Sequence, residues 1–147
     1  MANQPRILVA DDDADMRRLI ATILGGGSYE VVLCEDAESA LVHLRESGPF
    51  DALISDFMLP GISGLDLVAQ IRADAKISRI PVLMISAHIN YAMQTRAAGV
   101  GATAFLNKPF TLSQLRNALS ALLRGGNGNA GSGGISGIPK GGTITSR

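Results

Sequence analysis

The sequence contains a single cysteine, Cys34. That excludes an intramolecular disulfide framework and a cysteine-based zinc site. No apolar run approaches the roughly 18 residues of a membrane span. The opening residues Met1-Ala2-Asn3-Gln4-Pro5-Arg6 lack the apolar stretch behind a basic one that marks a signal peptide. A cytoplasmic location without membrane insertion is therefore expected. Acidic residues are missing altogether after Asp74. The 13 acids and 13 bases cancel, which argues against gross electrostatic attraction to nucleic acid or a membrane surface. The cancellation is uneven. Residues 1–74 set five bases against all 13 acids, a balance of −8, and the remainder carries eight bases, a balance of +8.

What is present is 147 residues, 46% of them apolar, enough for one domain with its own core plus a tail. Nine of the 17 glycines fall between Gly125 and Arg147, a stretch with only four apolar residues. Such a segment cannot bury enough surface to offset roughly 1–2 kcal/mol of backbone entropy per residue. Residues 125–147 are expected to be a flexible tail or linker behind a folded domain at 1–124. As a random coil the tail would span about 25–30 Å. Two readings stand: a tether to a further domain, and a frayed or cloning-derived end.

Residues 5–124 alternate in period. Ile7-Leu8-Val9-Ala10 is a short apolar run of the kind buried on both faces of a sheet. Met16, Leu19, Ile20, Ile23 and Leu24 share one helical face, which Gly25-Gly26-Gly27 stops. Tyr29–Cys34 reads as a second strand. Asp36 is placed to cap a helix with face Ala40, Leu41 and Leu44, ended by Gly48-Pro49. Further strands are expected at 52–55, 81–86 and 102–106. Further helices are expected at 65–73, at 89–98 with Gly99 as terminator, and after the capping-box sequence Thr111-Leu112-Ser113-Gln114. The last helix presents Leu112, Leu115, Leu119 and Leu122. Five strand–helix alternations predict an α/β fold, a doubly wound parallel sheet of five strands with five helices on its two faces. Ligand sites in such sheets lie beyond the carboxyl ends of the strands.

Those ends carry Asp11, Asp12 and Asp13 after strand 1, Asp56 after strand 3, Ser86 after strand 4, and Lys108-Pro109 after strand 5. Several carboxylates at one edge call for a cation, and a hard divalent ion such as Mg²⁺ takes oxygen ligands. A solvated acidic run is the alternative. A dinucleotide site would need a glycine-rich turn after strand 1, where this chain is acidic. A phosphatase of the haloacid-dehalogenase type would need a second acid two residues after the nucleophile; Met58 stands there after Asp56, although Asp11 and Asp13 do offer that spacing. Asp13 and Asp15 fit helix-start acids. His43 fits a surface helix position, Cys34 a buried small residue, and the Met58 and Met84 side chains packing groups.

The motifs ILVADD, LISDFMLPGISGLDL, PVLMISA and FLNKPF, in this order, resemble those of the receiver domains of two-component response regulators, of the CheY-like type. The resemblance covers about Arg6 to Arg124. It implies the strand order 2-1-3-4-5 and a switch rather than an enzyme with a separate substrate. Asp56 resembles the phosphoacceptor. Asp12, Asp56 and the Met58 backbone carbonyl resemble the Mg²⁺ ligands, with Asp11 acting through water. Lys108 resembles the lysine that pairs with Asp56 and later with the phosphoryl group, its bond to Pro109 being cis. Ser86 resembles the switch hydroxyl. Phe105 resembles the switch aromatic, with a plain core ring as the equal alternative. Implied partners are a histidine kinase or histidine phosphotransfer protein and a downstream protein target. Met58 and His88, each two residues beyond a site residue, are candidates for setting phosphate lifetime. Arg96, Arg116 and Arg124 are expected on the face of helix 4, strand 5 and helix 5. An isologous dimer needs both signs on one patch, so a monomer or weak dimer is expected, with a partner that presents acids. A non-phosphorylated module of the same fold is the other class considered.

Overall fold

The computed structural model describes residues 4–87 and 89–125. Five strands, β1 (Arg6–Ala10), β2 (Glu30–Cys34), β3 (Ala52–Asp56), β4 (Val82–Ser86) and β5 (Ala104–Asn107), alternate with five helices. These are α1 (Ala14–Leu24), α2 (Ala37–Glu46), α3 (Gly64–Ala73), α4 (Tyr91–Val100) and α5 (Leu112–Leu123). The strands pair in parallel in the order β2-β1-β3-β4-β5. The expected architecture and strand order are both found.

Alternation along the central strands splits the core in two. Leu8, Leu53, Val82, Met84 and Phe105 join the buried faces of α2 and α3, together with Ala97 of α4. Ile7, Val9, Ile54, Leu83, Ile85 and Leu106 join α1 and α5 on the other side. β3 and β4 are buried along their whole length, which explains why they read as continuous apolar runs. Cys34 is buried, and burial pushes its thiol up to about 12. Asp36 caps α2 by accepting the Ser39 N–H at 2.7 Å, and that bond holds its carboxyl below the ordinary range. The capping box at Thr111 and Gln114 is formed in both directions.

Five sequence expectations change. Leu19 is 45% exposed, on the flank of a stripe made of Ile20, Ile23 and Leu24. Leu112 is 48% exposed because it opens α5, and Ala118 and Ala121 complete the buried stripe instead. α4 starts two residues late, at the Asn90 cap, and runs through Gly99 to Val100. Its terminator is Gly101, whose φ of +113° is the left-handed turn that favours glycine. Ala102 then donates to Ala97 O, prolonging the cap, so β5 begins only at Ala104. Apart from Gly125, the tail segment 125–147 lies outside the described residues.

Candidate functional site

The carboxyl ends of β1, β3 and β5 meet around one ammonium group. Asp11 follows β1 and is fully buried. Its N–H donates to Cys34 O at 3.1 Å, its Oδ1 accepts the Asp13 N–H at 2.9 Å, and its carbonyl accepts Arg17 Nη1 at 2.7 Å. Asp56 ends β3 and is 7% exposed. Its Oδ1 accepts the Met58 N–H at 3.2 Å. Phe57 N–H extends the ladder to Ile85 O at 2.8 Å, so the backbone that follows the carboxylate is tied down. Lys108 follows β5 and is anchored through its N–H to Ser86 O at 2.8 Å. Its peptide bond to Pro109 is cis, as the resemblance implies. Lys108 Nζ lies 3.2 Å from Asp56 Oδ2 and 3.5 Å from Asp11 Oδ2.

Burial pushes the Asp11 carboxyl above its ordinary pKa, against the pull of the Asp13 N–H and Lys108, and the Asp56 charge adds to the rise. Burial alone would lower Lys108, but the charges of Asp56 and Asp11 and its hydrogen bonds to them hold it above its ordinary value. Asp12 is exposed beside the pair. Carboxylate oxygens of Asp11, Asp12 and Asp56 lie within 4.8 Å of one another. Octahedral Mg²⁺ with bonds of about 2.1 Å places opposite donors about 4.2 Å apart. Three carboxylates against one ammonium also leave net negative charge. The donor set fits a hard dication in its all-oxygen chemistry and in sign.

Ser86 ends β4 and is 4% exposed. Phe105 is 2% exposed and pairs in register with Met84, two residues before Ser86, so the hydroxyl and the ring share one face of the sheet. The Met58 side chain is not a packing group: it is 67% exposed, because the chain turns out of the sheet after Phe57. Met84 is buried, as expected. His43 is half-buried near the end of α2. His88 lies outside the described residues. Asp13 caps α1, accepting Asp15 N–H at 2.9 Å and Met16 N–H at 3.4 Å. Arg116 does not serve the face of α4, β5 and α5: its Nε and Nη2 donate to Ile23 O at 3.2 and 3.0 Å, closing the end of α1.

Two contributors to the site were not legible in sequence. Arg17 supports Asp11 from α1, and nothing in its spacing marks it. Gly64 opens α3 against the floor of the site, where an added Cβ would lie 2.7 Å from Asp56 O and 2.9 Å from Phe57 O.

A family model described as the response regulator receiver domain matches residues 7–120. The chain belongs to this family. The receiver domain is 35% identical over 124 residues to the chemotaxis protein CheY of Pseudomonas aeruginosa, covering 84% of this chain and 99% of that one. It is 34% identical to the phosphate regulon transcriptional regulatory protein PhoB of Klebsiella pneumoniae, across 81% of this chain and 52% of that protein. Among solved structures it is similar to the chemotaxis response regulator CheY4 of Vibrio cholerae. There the TM-score is 0.78 at 28% identity, over 82% of this chain and 100% of that one. Receiver domains are signalling switches of two-component systems rather than conventional enzymes. In this one, no helix among the described residues is long and apolar enough to cross a membrane.

Proposed function

We propose that this receiver domain is a phosphorylation-dependent switch that accepts a phosphoryl group on Asp56. The donor is the phosphohistidine of a histidine kinase or phosphotransfer protein in the cytoplasm. The observation that carries the reading is the Lys108 ammonium within 3.5 Å of both Asp56 and Asp11, with Asp12 beside them. An Asp56 oxygen attacks phosphorus, the bond from phosphorus to the histidine nitrogen breaks, and an acyl phosphate forms. Asp12, Asp56 and the Met58 carbonyl would hold Mg²⁺, with Asp11 acting through water, and the bound ion would supply charge neutralisation on the transferring group. Lys108 exchanges part of its pairing with Asp56 for a phosphoryl oxygen, and Ser86 donates its hydroxyl to another. The added charge, roughly 1.5–2 units by analogy with other phosphorylations, is the switching signal.

The buried Phe105 ring supports a coupled change on the same sheet face. As Ser86 shifts toward the phosphoryl group, space opens beside the ring, and the surface of α4, β5 and α5 changes with it. Arg96 of α4 and Arg124 at the end of α5 are exposed, and the sequence after Asp74 has no acidic residue to offset them. A downstream protein presenting acidic groups suits that surface better than a second copy, and the chain acts as a monomer or weak dimer without contacting nucleic acid. Residues 1–124 form the switch in this reading, and 125–147 serve as tail or linker.

Incubation with acetyl phosphate and Mg²⁺ should add one phosphoryl mass, located by mass spectrometry at Asp56 and lost in Asp56→Asn. No mass gain, or a gain that persists in that variant, overturns the assignment. Met58 stands exposed at the rim with no polar side-chain group to orient water. Met58→Asn is expected to shorten the acyl phosphate lifetime several-fold, measured as the decay of the phosphorylated mass. Identical decay would remove Met58 from that role.

A further inference from the structure

α4 is held unequally along its length. At its C-terminal end the N–H groups of Gly101 and Ala102 donate to Ala97 O at 3.1 and 2.9 Å, and Gly101 also reaches Ala98 O at 3.0 Å. The Gly101 carbonyl faces α3, where the half-buried Arg72 guanidinium donates to it twice, from Nε at 3.0 Å and Nη2 at 2.8 Å. The same guanidinium donates to Ser78 O at 2.8 Å and Ile80 O at 2.6 Å, in the connection from α3 to β4. It also reaches Thr103 Oγ1 at 3.4 Å, which accepts the Val82 N–H at 3.0 Å at the start of β4. All these acceptors are neutral, and no carboxylate pairs with Arg72 among the described residues. A Cβ on Gly101 would lie 2.8 Å from Arg72 Cγ, so the contact also uses the missing side chain.

The other end of α4 is held through packing, with Ile89 and Met93 partly buried against the core, and among the described residues no guanidinium ties it to α3 in the way Arg72 ties Gly101. Asn90 caps Met93 N–H at 2.9 Å, Tyr91 is 70% exposed, and Gln94 and Ala97 are the helix's only buried residues.

We propose that Arg72 is a positioning residue for the switch: it fixes the C-terminal end of α4 to α3 and β4, so that α4 rearranges by pivoting at Gly101. This rests on the switch reading above. A ten-residue helix is about 15 Å long, so a pivot of about 10° would carry Tyr91 about 2.5 Å while leaving Gly101 in place. The pivot confines the change to the turn that follows β4 and Ser86. An ammonium cannot reproduce the planar fork that serves several acceptors at once, so Arg72→Lys isolates geometry from charge.

The test is residue-resolved amide exchange by NMR on the full chain. In the unmodified protein, Gly101 and Ala102 should exchange about tenfold or more slowly than Gln94, Thr95 and Arg96. Arg72→Lys should erase most of that difference, and Thr103→Val, a milder change, should reduce it. After acetyl phosphate and Mg²⁺, chemical-shift changes within α4 and its cap should concentrate at residues 91–95 and spare 101–102. Equal exchange at both ends in the unmodified chain, or an unchanged difference in Arg72→Lys, overturns the pivot. So do shift changes at 101–102 as large as those at 91–95. Absence of phosphoryl uptake would instead sink the assignment of Asp56, while the unmodified-chain comparison still decides the anchoring.

Discussion

Lys108→Met should slow phosphoryl transfer to Asp56 by about 10²–10³-fold, the loss typical of removing one preorganised donor at a developing charge. The same variant should bind Mg²⁺ more tightly. Lys108 Nζ stands 3.2 Å from Asp56 and 3.5 Å from Asp11, so it neutralises the carboxylates that the ion would use and repels the ion itself. A unit charge a few ångströms away at an effective dielectric near 20 is worth a few kcal/mol, ample for a gain of about tenfold in Mg²⁺ affinity. Calorimetric titration with MgCl₂ reads affinity, and the mass gain from acetyl phosphate reads transfer. The two should move in opposite directions. A parallel loss of both would show that Lys108 organises the site only by holding it together. The metal-free variant should also be less stable than the parent, because Asp11 is fully buried and retains only the Asp13 N–H on its carboxylate. Added Mg²⁺ should recover more stability in the variant than in the parent.

The elements most readable in the sequence are those where one periodicity acts alone. β1, β3 and β4 are buried on both faces and stand out as apolar runs, and α2 is announced by its Asp36 cap and its Ala40, Leu41 and Leu44 stripe. The apolar pattern of α4 is weak and points to a start two residues too early. Its glycine at 99 is an ordinary helical residue, and the conformation that needs glycine belongs to Gly101. The site followed from placing acids, a hydroxyl and a lysine after successive strands, so Asp11, Asp12, Asp56, Ser86 and Lys108 were all legible. Side-chain direction was not. Arg116 looked like part of an exposed basic face, yet a long guanidinium side chain can turn to whichever orphaned carbonyl is near, here Ile23 O. Arg17 and Arg72 are silent for the same reason: their shortest hydrogen bonds go to backbone carbonyls, which leave no trace in a residue pattern.

Gly64→Ala is expected to cost about 2–3 kcal/mol, at the upper end of overpacking in a close-packed core. The new Cβ would meet Asp56 O at 2.7 Å, Met84 Cε at 2.8 Å and Phe57 O at 2.9 Å. A methionine methyl can move aside, but the two carbonyls are part of the backbone that carries Asp56 and is itself tied down: Phe57 N–H donates to Ile85 O, and Phe57 O accepts the Gly64 N–H at 3.0 Å. Relief of the clash must therefore displace the backbone that carries Asp56, the proposed phosphoacceptor, so slower phosphorylation should accompany the loss of stability. Gly99→Ala supplies the opposite sign. A Cβ there meets nothing within 4 Å, the residue lies inside α4, and its φ is not in the left-handed region. Alanine should then stabilise by up to about 1 kcal/mol through helix propensity. Urea unfolding of the two variants side by side should move the midpoint down for Gly64→Ala and up for Gly99→Ala. A neutral Gly64→Ala would mean that α3 can slide away from β3 without cost, and the claim that this glycine sets the position of Asp56 would fall.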